Sequence, residues 1–137
     1  MKKRSVAKPP DKPVFFVDRS LGRIDVPDAL RGAGYQCVIH DEHFDQDTED
    51  TIWLSAVAKE NWIVLTKDER IRYRPLELKA LESSQLRTFI MVCGNVRGID
   101  TAAILLKAMP RVLDIVNTQK GPFICYIYKN SAVKRSR

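Results

Sequence analysis

Val14-Phe15-Phe16-Val17-Asp18 and, further along, Trp62-Ile63-Val64-Leu65-Thr66-Lys67-Asp68 are short apolar runs that each close on an aspartate. Hydrophobicity that is continuous, not alternating, marks a strand buried on both faces, the usual reading of a parallel sheet. Similar runs recur at Tyr35-Gln36-Cys37-Val38-Ile39, at Thr88-Phe89-Ile90-Met91-Val92-Cys93 and at Phe123-Ile124-Cys125-Tyr126-Ile127-Tyr128. Segments of helical character separate them. The first spans 26–33, with Asp25 placed to cap it, Pro27 in an early position and Gly34 to stop it. The second spans 48–60 and carries a stripe of Ile52, Trp53, Ala56 and Val57. The third opens at Pro75 and passes through Leu76, Lys79, Ala80 and Leu81. The fourth runs from Thr101 to Val116, with Asp100 as its cap and Pro110 predicting a kink or two shorter pieces. Strands alternating with helices imply right-handed crossovers and a three-layer α/β/α sandwich around a five-stranded, mostly parallel sheet.

At 137 residues the chain suits one domain. We place it at 14–128, after a basic Pro-rich leader (1–13) and before a basic tail (129–137) expected to be disordered. The net charge is +6, but the two tails supply +8 and leave the remaining core at −2. Basic tails hold phosphate backbones or simply keep a chain soluble, so a pI near 9.4 does not identify a function. No window approaches the roughly eighteen consecutive apolar residues of a membrane span, and a Pro-rich stretch follows Met1-Lys2-Lys3-Arg4 where a signal peptide needs an apolar one. Cys37, Cys93 and Cys125 lack CxxC spacing and suggest neither a zinc site nor a disulfide framework. A reducing cytoplasm fits this pattern.

If the strand order is 2-1-3-4-5, strands one and three are neighbours and the ligand crevice lies at their carboxyl ends. Asp18 and Asp68 sit at those ends, and adjacent strands lie about 4.8 Å apart, so the two carboxylates can point into one small volume. The second helix begins at the same edge and brings Asp50 nearby. Carboxylates so placed repel one another, and a hard cation such as Mg²⁺ or Mn²⁺ is their natural counter-charge. Each acid also has a plainer reading. Asp47-Thr48-Glu49-Asp50 suits a helix cap with acids favoured by the dipole, and Asp18 and Asp68 suit loop residues accepting backbone N–H groups.

Arg19, Lys67, Arg70, Arg72 and Arg74 lie beside the acids or one turn beyond, where arginine grips phosphate in bidentate fashion. Pairing with Asp68, Glu69 and Glu77 is the alternative. His40-Asp41-Glu42-His43 lacks zinc spacing and reads as a polar loop in which His40 orients an acid. Trp53 and Trp62 read as core.

The segments Phe15-Phe16-Val17-Asp18-Arg19-Ser20-Leu21-Gly22, Gly34-Tyr35-Gln36-Cys37-Val38-Ile39-His40-Asp41, Asp50-Thr51-Ile52-Trp53 and Val64-Leu65-Thr66-Lys67-Asp68-Glu69-Arg70-Ile71 together resemble PIN-like nucleases of the VapC-type toxin group. The likeness runs from about residue 14 to 93. It implies a metal-dependent endoribonuclease, the toxin of a toxin–antitoxin pair, that uses Mg²⁺ or Mn²⁺ and leaves 3′-hydroxyl and 5′-phosphate ends. It assigns Asp18 to the acid after the first strand, Asp50 to the acid early in the helix before strand three, and Asp68 to the acid of the Thr-x-Asp strand end. Arg19, Arg70 and Arg72 become phosphate-binding residues, and a cognate antitoxin and a homodimer become expected partners. Longer members carry a further Glu on an additional helix without a clear counterpart in this chain, which leaves Asp47, Glu49, Glu69 and Glu77 as possible substitutes, the first three as candidate auxiliary acids. Two other readings remain: a receiver-like phosphoacceptor, and a PIN-like scaffold that binds nucleic acid or a partner without cutting.

Overall fold

The computed structural model describes residues 13–69 and 86–136, with the side chain of Asp50 left outside that description. The expected helix from Pro75, together with Arg70, Arg72, Arg74 and Glu77, also lies outside the described residues.

The apolar runs form strands: β1 Val14–Val17, β2 Gln36–Ile39, β3 Ile63–Thr66, β4 Arg87–Val92 and β5 Phe123–Tyr128. A sixth, β6 Val133–Arg135, completes one sheet in the order β2-β1-β3-β4-β5-β6, parallel throughout except for the antiparallel β5–β6 pair. The expected order of the first five strands is therefore the observed one. Alternate residues of the strands feed two cores. Phe15, Val17, Ile63, Leu65, Phe89 and Met91 pack with residues of α1 (Asp25–Gly32) and α4 (Gly98–Thr118). On the opposite face, Phe16, Val64, Ile90 and Ile124 pack with Trp53, Leu54 and Val57 of α3 (Asp50–Lys59). Helices thus cover both faces, which is why the strands read as continuous apolar runs.

The sequence reading needs correction at several points. The five-stranded sheet has six strands, because the segment expected to be a disordered tail returns as a hairpin. Ser131 at φ 70° makes the turn, Tyr128 N–H donates to Ala132 O at 2.9 Å, and Val133 pairs with Ile127. Val133 is buried, and the Arg135 guanidinium lies 5.6 Å from the Phe123 ring centre while donating to Gln119 Oε1 at 2.7 Å. Two apolar residues, Ala132 and Val133, in a basic run gave no strand signal.

Pro110 neither divides nor ends α4, which runs unbroken for 21 residues. Its ring lies on the exposed side of the helix, where solvent can take up the carbonyl that proline leaves unpaired, while Met109 and Val112 anchor the buried side. Asp100 is not the cap. Arg97 holds that position, and Asp100 sits in the first turn accepting Arg97 Nε at 3.0 Å. Asp25 is likewise the first helical residue of α1 instead of its cap. The stretch expected as a loop after Ile39 contains a single helical turn, α2 His40–His43.

Candidate active site

β1 ends at Val17, paired with Leu65 of β3, so the next residue of each strand meets at the carboxyl edge. Asp18 N–H donates to Leu65 O at 3.0 Å, which sets the Asp18 carboxylate beside the side chain of Thr66. The chain then tightens into a 3-10 turn, Arg19–Leu21, with Asp18 at its cap. Two hydroxyls converge on one carboxylate oxygen: Ser20 Oγ donates to Asp18 Oδ2 at 2.7 Å and Thr66 Oγ1 donates to it at 2.8 Å. A hydroxyl has one proton, so the 3.1 Å approach of Ser20 Oγ to Thr66 Oγ1 is a close contact between two donors already in use. Each hydroxyl also accepts a backbone N–H from the end of β3. Lys67 N donates to Ser20 Oγ at 2.9 Å and Asp68 N donates to Thr66 Oγ1 at 3.1 Å.

Asp18 is thereby fixed at the sheet edge, and the backbone of Asp68 is two hydrogen bonds away from its carboxylate. The plainer reading of Asp18 is present as well, since Oδ2 accepts Ser20 N at 3.4 Å. The hydrogen bonds that described residues make to this carboxylate all fall on Oδ2. No Lys or Arg among them forms an ion pair with it. Its neighbour Arg19 turns instead to Asp41, Nε to Oδ1 at 3.1 Å, and donates from Nη1 to Gln46 O at 3.4 Å.

Asp50 is the first residue of α3, the helix that leads into β3. Glu49 is the cap of that helix but makes no side-chain capping bond; Asp47, Glu49 and Glu69 are exposed. Among the described residues no three His, Cys, Asp or Glu side chains stand close enough together to hold a metal ion. The donors present at the edge are hard carboxylate oxygens, the type that Mg²⁺ or Mn²⁺ prefers, and one of them carries a charge that no described side chain neutralises.

His40 is buried, its ring 5.9 Å from Phe16, 5.5 Å from Phe44 and 5.7 Å from Trp53, with Nδ1 3.4 Å from Asp41 Oδ1. The acid beside it is Asp41. Trp53 is core as expected, and Trp62 packs against the same cluster while partly exposed. Sequence reasoning passed over Ser20, Thr66 and Asp41. The first two had a signal in the matching spacing of Asp18-x-Ser20 and Thr66-x-Asp68 at two strand ends that the sheet order makes neighbours.

The chain that folds into this mostly parallel sheet matches the family model described as "PIN like domain" over residues 13–92. The chain belongs to this PIN-like family. Across 124 residues, 88% of this chain and 89% of the relative, it is 28% identical to "Putative ribonuclease VapC45" of Mycobacterium tuberculosis (strain ATCC 25618 / H37Rv). No solved structure matches it.

Proposed function

We propose that the chain is a divalent-metal-dependent endoribonuclease and the toxin of a toxin–antitoxin pair. The observation that carries the reading is the Asp18 carboxylate, held by Ser20 and Thr66 at the edge it shares with Asp68 and left without a cationic partner among the described residues. Membership of the PIN-like family and the name of the mycobacterial relative support it.

Asp18, Asp50 and Asp68 would hold Mg²⁺ or Mn²⁺, which supplies an acidified water and charge neutralisation at a phosphate. The residues of the chain do the positioning. Ser20 and Thr66 keep Asp18 Oδ2 pointed and hydrogen-bonded, so the carboxylate is arranged before substrate arrives. Asp47, Glu49 and Glu69 are the acids available to accept the proton of the attacking water, and Arg19, Arg70 and Arg72 are the groups proposed to bind phosphate. The 3′-hydroxyl and 5′-phosphate products, the antitoxin, the homodimer and a cytoplasmic location belong to the same proposal. No helix among the described residues is long and apolar enough to cross a membrane.

The test is cleavage of single-stranded RNA in Mg²⁺ or Mn²⁺, with EDTA as control. Asp18→Asn and Asp68→Asn should each abolish it, and activity retained in either purified variant overturns the assignment. The rival reading is a PIN-like scaffold that binds RNA or a partner without cutting. RNA binding that survives neutralisation of Asp18, Asp50 and Asp68, with no cleavage by the native chain, would select it. The receiver-like reading loses its basis once the chain is placed in the PIN-like family.

A further inference from the structure

The 3-10 turn that carries Arg19 also walls a cavity of about 720 Å³ beside the first turns of α1 and α4. That volume falls in the range of small-ligand sites, roughly 300–1,000 Å³. Arg19, Gly22, Arg23, Ile24, Asp41 and Gln46 line it.

Two guanidinium groups are anchored here by one carboxylate. Asp41, whose side chain is 13% exposed, takes Arg19 Nε on Oδ1 at 3.1 Å and Arg23 Nε on Oδ2 at 3.9 Å. Both arginines are themselves well exposed, at 43% and 69%. Each approaches Asp41 through Nε. A guanidinium has five N–H donors, so terminal donors of both remain for an anion after Arg19 Nη1 has served Gln46 O.

Apart from Asp25 and Gln46, the rest of the cavity is apolar or lacks side chains. Leu21 is buried beneath it, and Ile24 stands 68% exposed. Gly22, at φ 82° and ψ −178°, adopts a conformation that suits only glycine and puts no side chain into the space. The second acid at the cavity, Asp25, places Oδ2 against Gly98 at the start of α4, an end that favours negative charge. A ligand that suits these walls has an anionic group for the arginines and a flat, weakly polar face for the isoleucine. An unstacked nucleotide has both, and single-stranded RNA is recognised through splayed bases of this kind. Arg19 follows Asp18 directly in the chain, so a strand with its scissile phosphate at Asp18 passes the cavity mouth with an adjacent nucleotide.

We propose that this cavity is a subsite for one unpaired nucleotide flanking the scissile bond, its phosphate held by Arg19 and Arg23 and its base laid against Ile24. Asp41 is the positioning residue for both arginines. The proposal rests on the nuclease reading, and the test separates the two.

The ¹⁵N-labelled chain, free of divalent metal, is titrated with the four nucleoside 5′-monophosphates and, separately, with ribose 5-phosphate. Amide shifts at Gly22, Ile24 and Gly98 are expected with the nucleotides and weaker ones with the sugar phosphate. Arg23→Ala and Ile24→Glu alter exposed side chains, and each should weaken nucleotide binding about fivefold to tenfold, the first by the loss of one charge-assisted contact and the second by the loss of the apolar face and repulsion of the phosphate. Arg111→Ala, which removes an equal charge remote from the cavity, should bind as the native chain does. Asp41→Asn should raise KM for RNA several-fold with kcat nearly unchanged, and Asp41→Glu should restore much of the loss. Nucleotide shifts that miss the cavity, equal response to ribose 5-phosphate, or native affinity in both Arg23→Ala and Ile24→Glu overturns the subsite, even in a chain that cleaves RNA. Nucleotide binding in the cavity of a chain that cleaves no RNA with any divalent metal overturns the nuclease reading and leaves a nucleotide-binding cavity.

Discussion

Replacing Thr66 by valine removes one oxygen and keeps the shape of the side chain, so it isolates what that hydroxyl does at the sheet edge. Thr66 is only 1% exposed, and its hydroxyl donates to the Asp18 carboxylate at 2.8 Å and accepts Asp68 N at 3.1 Å. A hydrogen bond to a charged group contributes about 1.5–3 kcal/mol, more than a neutral one, and the backbone donor left behind adds to the loss. Ser20 still donates to Oδ2, which limits the damage. The expected destabilisation is about 2.5 kcal/mol, or about 10 °C in Tm for a domain of this size. Ser20→Ala should cost less, about 1 kcal/mol, because Ser20 is exposed and water can replace its oxygen. Urea unfolding at constant slope gives both values. In an Asp18→Asn background, where the acceptor is a neutral amide oxygen, Thr66→Val should cost only about 1 kcal/mol. A Thr66→Val chain as stable as the native one, or an equal cost in both backgrounds, would refute the idea that the hydroxyl holds a charged Asp18.

Phe16→Ala should cost about 4 kcal/mol by urea unfolding, since Phe16 is fully buried and stacks on Trp53 and Trp62 with ring centres 5.3 and 6.1 Å away. A methyl at Gly98 would collide with Asp25 Oδ2, so a double-mutant cycle of Gly98→Ala with Asp25→Ala should show a coupling of about 1 kcal/mol, and additive costs would contradict the contact. Burial pushes the Cys125 thiol up to about 11, the charges of Arg135 and Arg111 opposing the shift. Because the folded value lies above the ordinary 9.0, the stabilisation is complete below pH 9 and is lost as pH rises through about 11. Native Cys125 should therefore resist iodoacetamide at pH 8 and react once the chain is unfolded in urea; rapid alkylation of the native chain would contradict its burial.

Much of the fold was legible because strands buried on both faces produce unbroken apolar runs. Phe123–Tyr128 was located to the residue. The alternation of helices and strands pointed to a parallel sheet covered on both faces; the order 2-1-3-4-5 was one assumption compatible with it, and the structure adopts that order for the first five strands and with it the pairing of the Asp18 and Thr66 ends. What escaped depended on tertiary contacts. Val133 becomes a strand residue only because Ile127 offers a partner and the core takes its side chain. Pro110 is tolerated because of the side of the helix it occupies, which one long apolar pattern did not fix.

The site divides along the same line. The acids were legible as residues that end strands. The hydroxyls of Ser20 and Thr66 were not, because each is tied across the sheet edge to a residue 47 or 48 positions away. Arg19 was read as a partner of phosphate or of a neighbouring acid, and its actual partner, Asp41, belongs to a helical turn that the sequence did not announce.

The central claim is that Asp18 and Asp68 share a divalent cation, and crystals soaked in Mn²⁺ test it most directly. An anomalous peak within coordination distance of an oxygen from each carboxylate is expected, and it should vanish in Asp18→Asn crystals. Soaked crystals with no peak at the carboxyl ends of β1 and β3, or an unchanged peak in Asp18→Asn, would contradict it.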